Sequence, residues 1–134
     1  MQYGAVMGSA KEGRIAAASR ADYAAAAAAV LVKDGHAGKV YELAGDTAFT
    51  LTEFAAEIAK QSGKAVAYAD MPQAVYAAEL VKVGLPEGFA ALLADSDAAA
   101  ANGGLFDDGK QLSQLIGRGT TPISQTIAAN LLSI

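Results

Sequence analysis

The sequence has no cysteine and no tryptophan, and only one histidine and three prolines in 134 residues. Without cysteine there is no disulfide, no thiol nucleophile and no thiolate-held metal. With a single histidine, a metal site would have to be built from carboxylates alone. Basic runs are missing as well: ten Lys and Arg are scattered against fourteen Asp and Glu, for a net charge of −4. Nucleic acid and anionic membrane surfaces both call for clustered cations, so neither is an expected partner. No apolar run approaches the roughly 18–20 residues of a membrane span. The chain does not open on a basic stretch followed by an apolar one, as a secretory signal would. No membrane partner is expected, and the expected location is the cytoplasm.

What is present points to a folded domain. Hydrophobic residues make up 53% of the chain and charged residues 18%, far from a disordered composition, and the length suits one domain spanning residues 1–134. Alanine supplies about a quarter of the residues, six of them consecutive at Ala24–Ala29. Alanine buries little surface, so the core is expected to be thin and to lean on Leu, Val, Ile, Phe and Tyr.

Capping signals divide the chain into helices. Ser19 before Arg20–Lys33, with Asp22 three residues on and Gly35 as the stop, marks a capped alanine-rich helix. Because its sides are mostly methyl groups, it can approach a neighbour closely. Thr50 and Glu53 form a capping box for a helix to Ser62 that carries Leu51, Phe54, Ala55, Ile58 and Ala59 at helical spacing and ends at Gly63. Further helices are predicted from Met71-Pro72 to Lys82, from Pro86 to Ala101, from Asp108 to Ile116, and from Thr121-Pro122 onward with Ile123, Ile127, Leu131 and Leu132 on one side. Strands are predicted at Lys39–Ala44 and Lys64–Ala69, with a short third at Arg14–Ala18. The fold class is therefore α/β, or α+β within this chain, with two or three short strands and about six helices. So few strands make an uncomfortable sheet, as though the chain were a piece of a larger α/β protein or completed its sheet by oligomerising.

No catalytic constellation emerges from the residues. His36 lies between two glycines and reads as a turn residue. Asp107 and Asp108 read as caps for the next helix. Asp95 and Asp97 are two apart and point to different sides of a helix. Gly8–Gly13 (GSAKEG) has spaced glycines without the lysine and hydroxyl of a phosphate loop. Arg118, within GRGTT, could meet an anion, but a glycine stop before a capped helix explains the motif without one. No tyrosine is followed four residues later by lysine. Catalytic, cofactor-binding and metal residues are all assigned as none.

In order, the stretches GRIAAASRADYAAAAAAVL, GKVYELAGDTAFTLTEFAAEIAKQSGKAV, VGLPEGFAALLADSDAAAANGGLFDD and LSQLIGRGTTPISQTI resemble the C-terminal half of the NmrA-like atypical short-chain dehydrogenase/reductases, on the branch of the NAD(P)H-dependent quinone reductases and triphenylmethane reductases. The likeness covers nearly the whole chain and is most specific at KVYELAGDTAFTLT and GGLFDD. It implies the helix-rich C-terminal portion of a Rossmann-like fold, in which Lys39–Ala44 joins the large sheet and the alanine helix packs on that sheet. It also implies an NAD(P)H-dependent oxidoreductase acting on a quinone-like small molecule. The family's glycine-rich nucleotide loop has no counterpart in this sequence. This chain alone is accordingly expected to bind no cofactor, with NAD(P)H serving the intact family, and to be inactive by itself as a truncated or excised portion. The alternative is a stand-alone, non-catalytic binding or interaction module of the NmrA-like type. The resemblance makes Phe106 a candidate apolar contact in the acceptor pocket, against the plainer reading that it fills the core. The strand left without its sheet makes a homo-oligomer the expected assembly.

Overall fold

The structure, a computed structural model, describes residues 4–131. In chain order its elements are β1 (Ala5–Gly8), α1 (Arg20–Val32), α2 (Leu51–Ser62), β2 (Ala67–Asp70), α3 (Gln73–Lys82), α4 (Glu87–Ala101), α5 (Gln111–Ile116) and α6 (Ile123–Leu131). Among the described residues no helix is long and apolar enough to cross a membrane. Two compact units divide the chain: residues up to Ile15 together with Phe49–Leu105, and Ala16–Ala48 together with the residues from Phe106 on.

The first unit is built on a two-stranded parallel sheet in which Ala5 pairs with Ala67 and Gly8 with Asp70. Helix α2 lies on both strands, and α3 packs along α4. The core is as thin as the composition requires, with Ala10, Ala55, Ala90, Ala94 and Ala100 buried beside Phe49 and Leu80. Phe49 stacks on Phe54 with ring centroids 5.9 Å apart. The predicted capping box is present at α2. Glu53 N–H donates to Thr50 Oγ1 at 3.1 Å and Thr50 N–H to Glu53 Oε2 at 2.8 Å, while Gly63 closes the helix with a left-handed φ of 66°.

The second unit pairs α1 with α5 around Ala26 and the wholly buried Leu112. Its pivot is Asp22, whose side chain is fully buried near the start of α1. The carboxylate accepts from the Ser19 hydroxyl at 2.8 Å and from the Thr121 N–H at 2.8 Å. It also pairs with the Arg118 guanidinium at 2.7 Å. The anion that Arg118 meets is thus inside the protein. Burial by itself would raise the Asp22 carboxyl, but the Thr121 N–H, the Ser19 hydroxyl, Arg118 and the Thr121 hydroxyl together outweigh it and hold the group well below the ordinary carboxylate range. Close by in sequence, Asp46 N–H donates to Thr120 Oγ1 and Thr120 N–H returns a bond to Asp46 Oδ2.

Several expected elements differ. Lys39–Ala44 forms no strand among the described residues. A ladder needs a second strand, and this unit offers side chains instead: Glu42 N–H reaches Gln111 Oε1 at 3.3 Å, and the Leu43 carbonyl takes the Tyr23 hydroxyl at 3.4 Å. Arg14–Ala18 contributes only a bridge, in which Ile15 and Phe49 exchange both backbone bonds. The strand that does pair with β2, Ala5–Gly8, was not expected. Lys64–Ala69 pairs only from Ala67 and runs on to Asp70. Helix α1 has α5 as its partner within its unit, and it leaves Ala24, Ala27, Ala28, Leu31 and Val32 exposed. Helix α5 begins at Gln111 and not at Asp108, because Asp107 spends its carboxylate on the Gly109 N–H at 2.9 Å in a local turn. Leu132 lies outside the described residues.

The depressed Asp22 carboxyl fixes a sign for acid stability. Its contribution is complete above the ordinary carboxylate range and is lost as pH falls below about 5 toward the depressed value. Asp22→Asn is expected to cost about 2–3 kcal/mol at neutral pH. The gap to the parent chain should narrow in denaturant melts run at pH 7, 5 and 3. A pH-independent gap would show that the carboxylate charge is not what Asp22 supplies.

Candidate functional site

In an open α/β sheet, ligands bind outside the carboxyl ends of the parallel strands, and the first unit has a cleft of about 410 Å3 at that place. The segment after β1 contributes Ser9 and Lys11, the end of β2 and its exit contribute Asp70, Met71, Pro72 and Gln73, and the last turn of α4 contributes Ala98, Ala101 and Asn102. Met71, Pro72 and the two alanines give an apolar wall. The other residues give a polar rim.

The turn after β1 is held by its own N–H groups. Ser9 N–H donates to Asp97 Oδ2 at 3.0 Å, Ala10 N–H to the Tyr68 hydroxyl at 2.9 Å, and Lys11 N–H to Asp70 Oδ1 at 2.9 Å. The Tyr68 hydroxyl donates a hydrogen bond to the same Asp70 oxygen at 2.8 Å. Burial first, and then the bond to Asp70, push the Tyr68 hydroxyl up, so it stays protonated and able to donate. Consecutive amides of this kind can cradle a phosphate, but here each one already has a protein oxygen. The turn closes with Gly13 N–H on the Ala10 carbonyl at 2.8 Å, and Lys11 takes a left-handed φ of 49°.

The residues singled out from sequence fall as follows. Asp97 serves the turn while Asp95 accepts from Gln73 at 3.4 Å, so the two carboxylates diverge as expected. His36 bonds the Tyr41 hydroxyl through Nδ1 at 2.6 Å within its own turn. Phe106 is in the second unit and is 47% exposed, so it does not fill the core, and it is not among the residues lining the cleft. Among the described residues, no group of three or more His, Asp or Glu is placed to hold a metal. Sequence reasoning passed over Ser9, Lys11, Tyr68 and Asp70. The available signal was a strand ending in Asp70-Met71-Pro72, where a helix start follows a strand end.

No family model matches the chain. Individual proteins do, and they bear out both the Rossmann-like α/β class and the resemblance to the NmrA-like atypical short-chain dehydrogenase/reductases. Triphenylmethane reductase from Citrobacter sp. superposes with a TM-score of 0.89 at 29% identity, over 99% of this chain and 46% of that structure. The particular protein it resembles more strongly is quinone oxidoreductase 2 of Escherichia coli (strain K12), 56% identical over 128 residues. A crystal structure of the NADPH-dependent E. coli enzyme complexed with NADPH gives a TM-score of 0.94 at 55% identity, covering 97% of this chain and 46% of that one. The match to the curated E. coli enzyme takes in 96% of this chain and 45% of the enzyme, so the chain spans about half its length.

Close approach at the turn gives a direct check on this architecture. A Cβ on Gly13 would lie 2.2 Å from the Ala100 carbonyl oxygen at the end of α4. Gly13→Ala is therefore expected to destabilise the fold by about 2–3 kcal/mol, since backbone has to move. Gly88→Ala, where a Cβ meets nothing within 4 Å in helix α4, should be neutral or stabilising. Equal melting temperatures for the two variants would contradict the packing of the turn on α4.

Proposed function

We propose that this chain is the substrate-side portion of an NAD(P)H-dependent oxidoreductase that acts on a quinone-like acceptor, and that it is without turnover as an isolated chain. The carrying observation is the cleft at the carboxyl ends of β1 and β2, in a chain 56% identical to a quinone oxidoreductase. An apolar wall with a polar rim suits a flat ring bearing carbonyl oxygens. The cofactor half of the proposal rests on the turn after β1. Its three amides are committed to Asp97, Tyr68 and Asp70, so this turn does not hold a pyrophosphate. Phe106, half exposed in the second unit and apart from the cleft lining, is proposed as an apolar contact of the complete reductase on the family resemblance alone. The proposed setting is the cytoplasm.

Titration of the chain with NADPH, followed by nicotinamide fluorescence, should show no saturation below millimolar. Duroquinone should shift the amide resonances of Met71, Ala98 and Ala101 saturably. Micromolar binding of NADPH would overturn the assignment of this chain to the acceptor side, and unshifted cleft resonances would remove the acceptor.

The proposal extends to assembly. Lys39–Ala44 has strand composition yet joins no strand among the described residues, and Val40, Leu31 and Val32 are 86%, 85% and 79% exposed. Unpaired backbone beside apolar surface is a template for another chain, and a two-fold arrangement lets one patch satisfy itself. A homodimer or larger homo-oligomer is expected at micromolar concentration by light scattering coupled to size exclusion. A monomer of 13.5 kDa that persists on concentration would refute it.

A further inference from the structure

The cleft has one cation on its wall, and its setting is unusual. Lys11 occupies a left-handed φ of 49°, and among the described residues only Lys110 shares such a backbone without being glycine. A side chain at such a φ costs about 1 kcal/mol that glycine would avoid. The surroundings hold Lys11 there. Its own N–H is fastened to Asp70, the two residues before it are fastened to Asp97 and Tyr68, and Gly13 closes the turn behind it. The backbone of Lys11 beside the apolar wall is therefore set by the fold. The one carboxylate on that wall, Asp70, has its Oδ1 taken by two other donors, the Lys11 N–H and the Tyr68 hydroxyl. The Lys11 ammonium makes no ion pair among the described residues.

A lysine anchored through its backbone at the rim of an apolar cleft is matched by a planar ring carrying an acidic substituent. Such a ring would lie on Met71, Pro72, Ala98 and Ala101, with its anionic oxygen accepting from Nζ in a charge-assisted bond, stronger than one to a neutral oxygen. The cleft volume of about 410 Å3 falls within the ~300–1,000 Å3 usual for small-molecule sites. We infer that Lys11 is the specificity-determining residue of the cleft, and that it selects ring compounds bearing a carboxylate or sulfonate over their uncharged counterparts. The ring being a quinone rests on the proposed function. The charge preference rests on the cleft alone.

The test uses the full chain and three probes, with binding followed by calorimetry and amide shifts: anthraquinone-2-sulfonate, 2-(hydroxymethyl)anthraquinone and naphthalene-2-sulfonate. The sulfonated quinone should bind roughly fivefold tighter than the hydroxymethyl compound, with the difference shrinking in high salt. Lys11→Gln should abolish that difference by weakening the sulfonate, and Lys11→Arg should restore it. Should Lys11→Gln fail to fold, Lys11→Gly carries the same expectation, since glycine takes this φ without strain. No preference for the sulfonate, a preference that survives loss of the lysine charge, or no sulfonate binding at all would each overturn the inference. Lysine-dependent binding of naphthalene-2-sulfonate with neither quinone bound would uphold it and remove the quinone reading. Uncharged quinone binding without a sulfonate preference would do the reverse.

Discussion

The Tyr68 hydroxyl is the constraint on which the first unit depends. It accepts from the turn that follows β1 and donates to the carboxylate that ends β2, so one half-buried phenol ties the exits of both parallel strands together. A two-stranded sheet has little stability of its own, and its strands could separate at their ends if backbone pairing were all that held them. The bond from the Tyr68 hydroxyl to Asp70 and the bond from the Ala10 N–H to Tyr68 join the exits, and this link sets the spacing of the cleft residues on either side. The packing of α2 on the strands and the approach of α4 to Gly8 and Gly13 both assume that spacing.

Helices were legible because they announce themselves locally. The capping box at Thr50 and Glu53, the serine cap at Ser19 and the stops at Gly35, Gly63, Gly84 and Gly117 are short-range chemistry, and all four glycines take positive φ. Strands were not legible in the same way. Ala5–Gly8 is four residues long with no alternation, and only its pairing with Ala67–Asp70 makes it a strand. Lys39–Ala44 shows the opposite case: strand composition with no ladder to enter. Composition records a preference, whereas a strand is a relation between two segments.

The site was hidden for a related reason. Its principal members are Ser9, Lys11, Tyr68, Asp70 and Asp97, which lie far apart in sequence and match no motif. Most of their hydrogen bonds run from backbone N–H to side chain, and residue identity alone does not reveal those. Arg118 illustrates the limit from the other side. The sequence suggested an anion near it, but only the fold shows that the anion is Asp22. What residues alone could not supply, family likeness did: the long stretches around KVYELAGDTAFTLT and GGLFDD pointed to the NmrA-like reductases before any geometry was known.

The two units are interleaved along the chain, since the two segments of each are separated by a segment of the other. This matters for the order in which the molecule comes into being. As the polypeptide leaves the ribosome, α1 is released before α2 through α4, and its packing partner α5 only after them. Until then Asp22 faces water without Thr121 or Arg118. Closure of so long a loop is entropically costly, and contacts distant in sequence slow folding. The nascent alanine helix must therefore survive on its own propensity and its Ser19 cap. Six consecutive alanines, the strongest helix formers, raise the helical population of this 13-residue segment while its partner is being made.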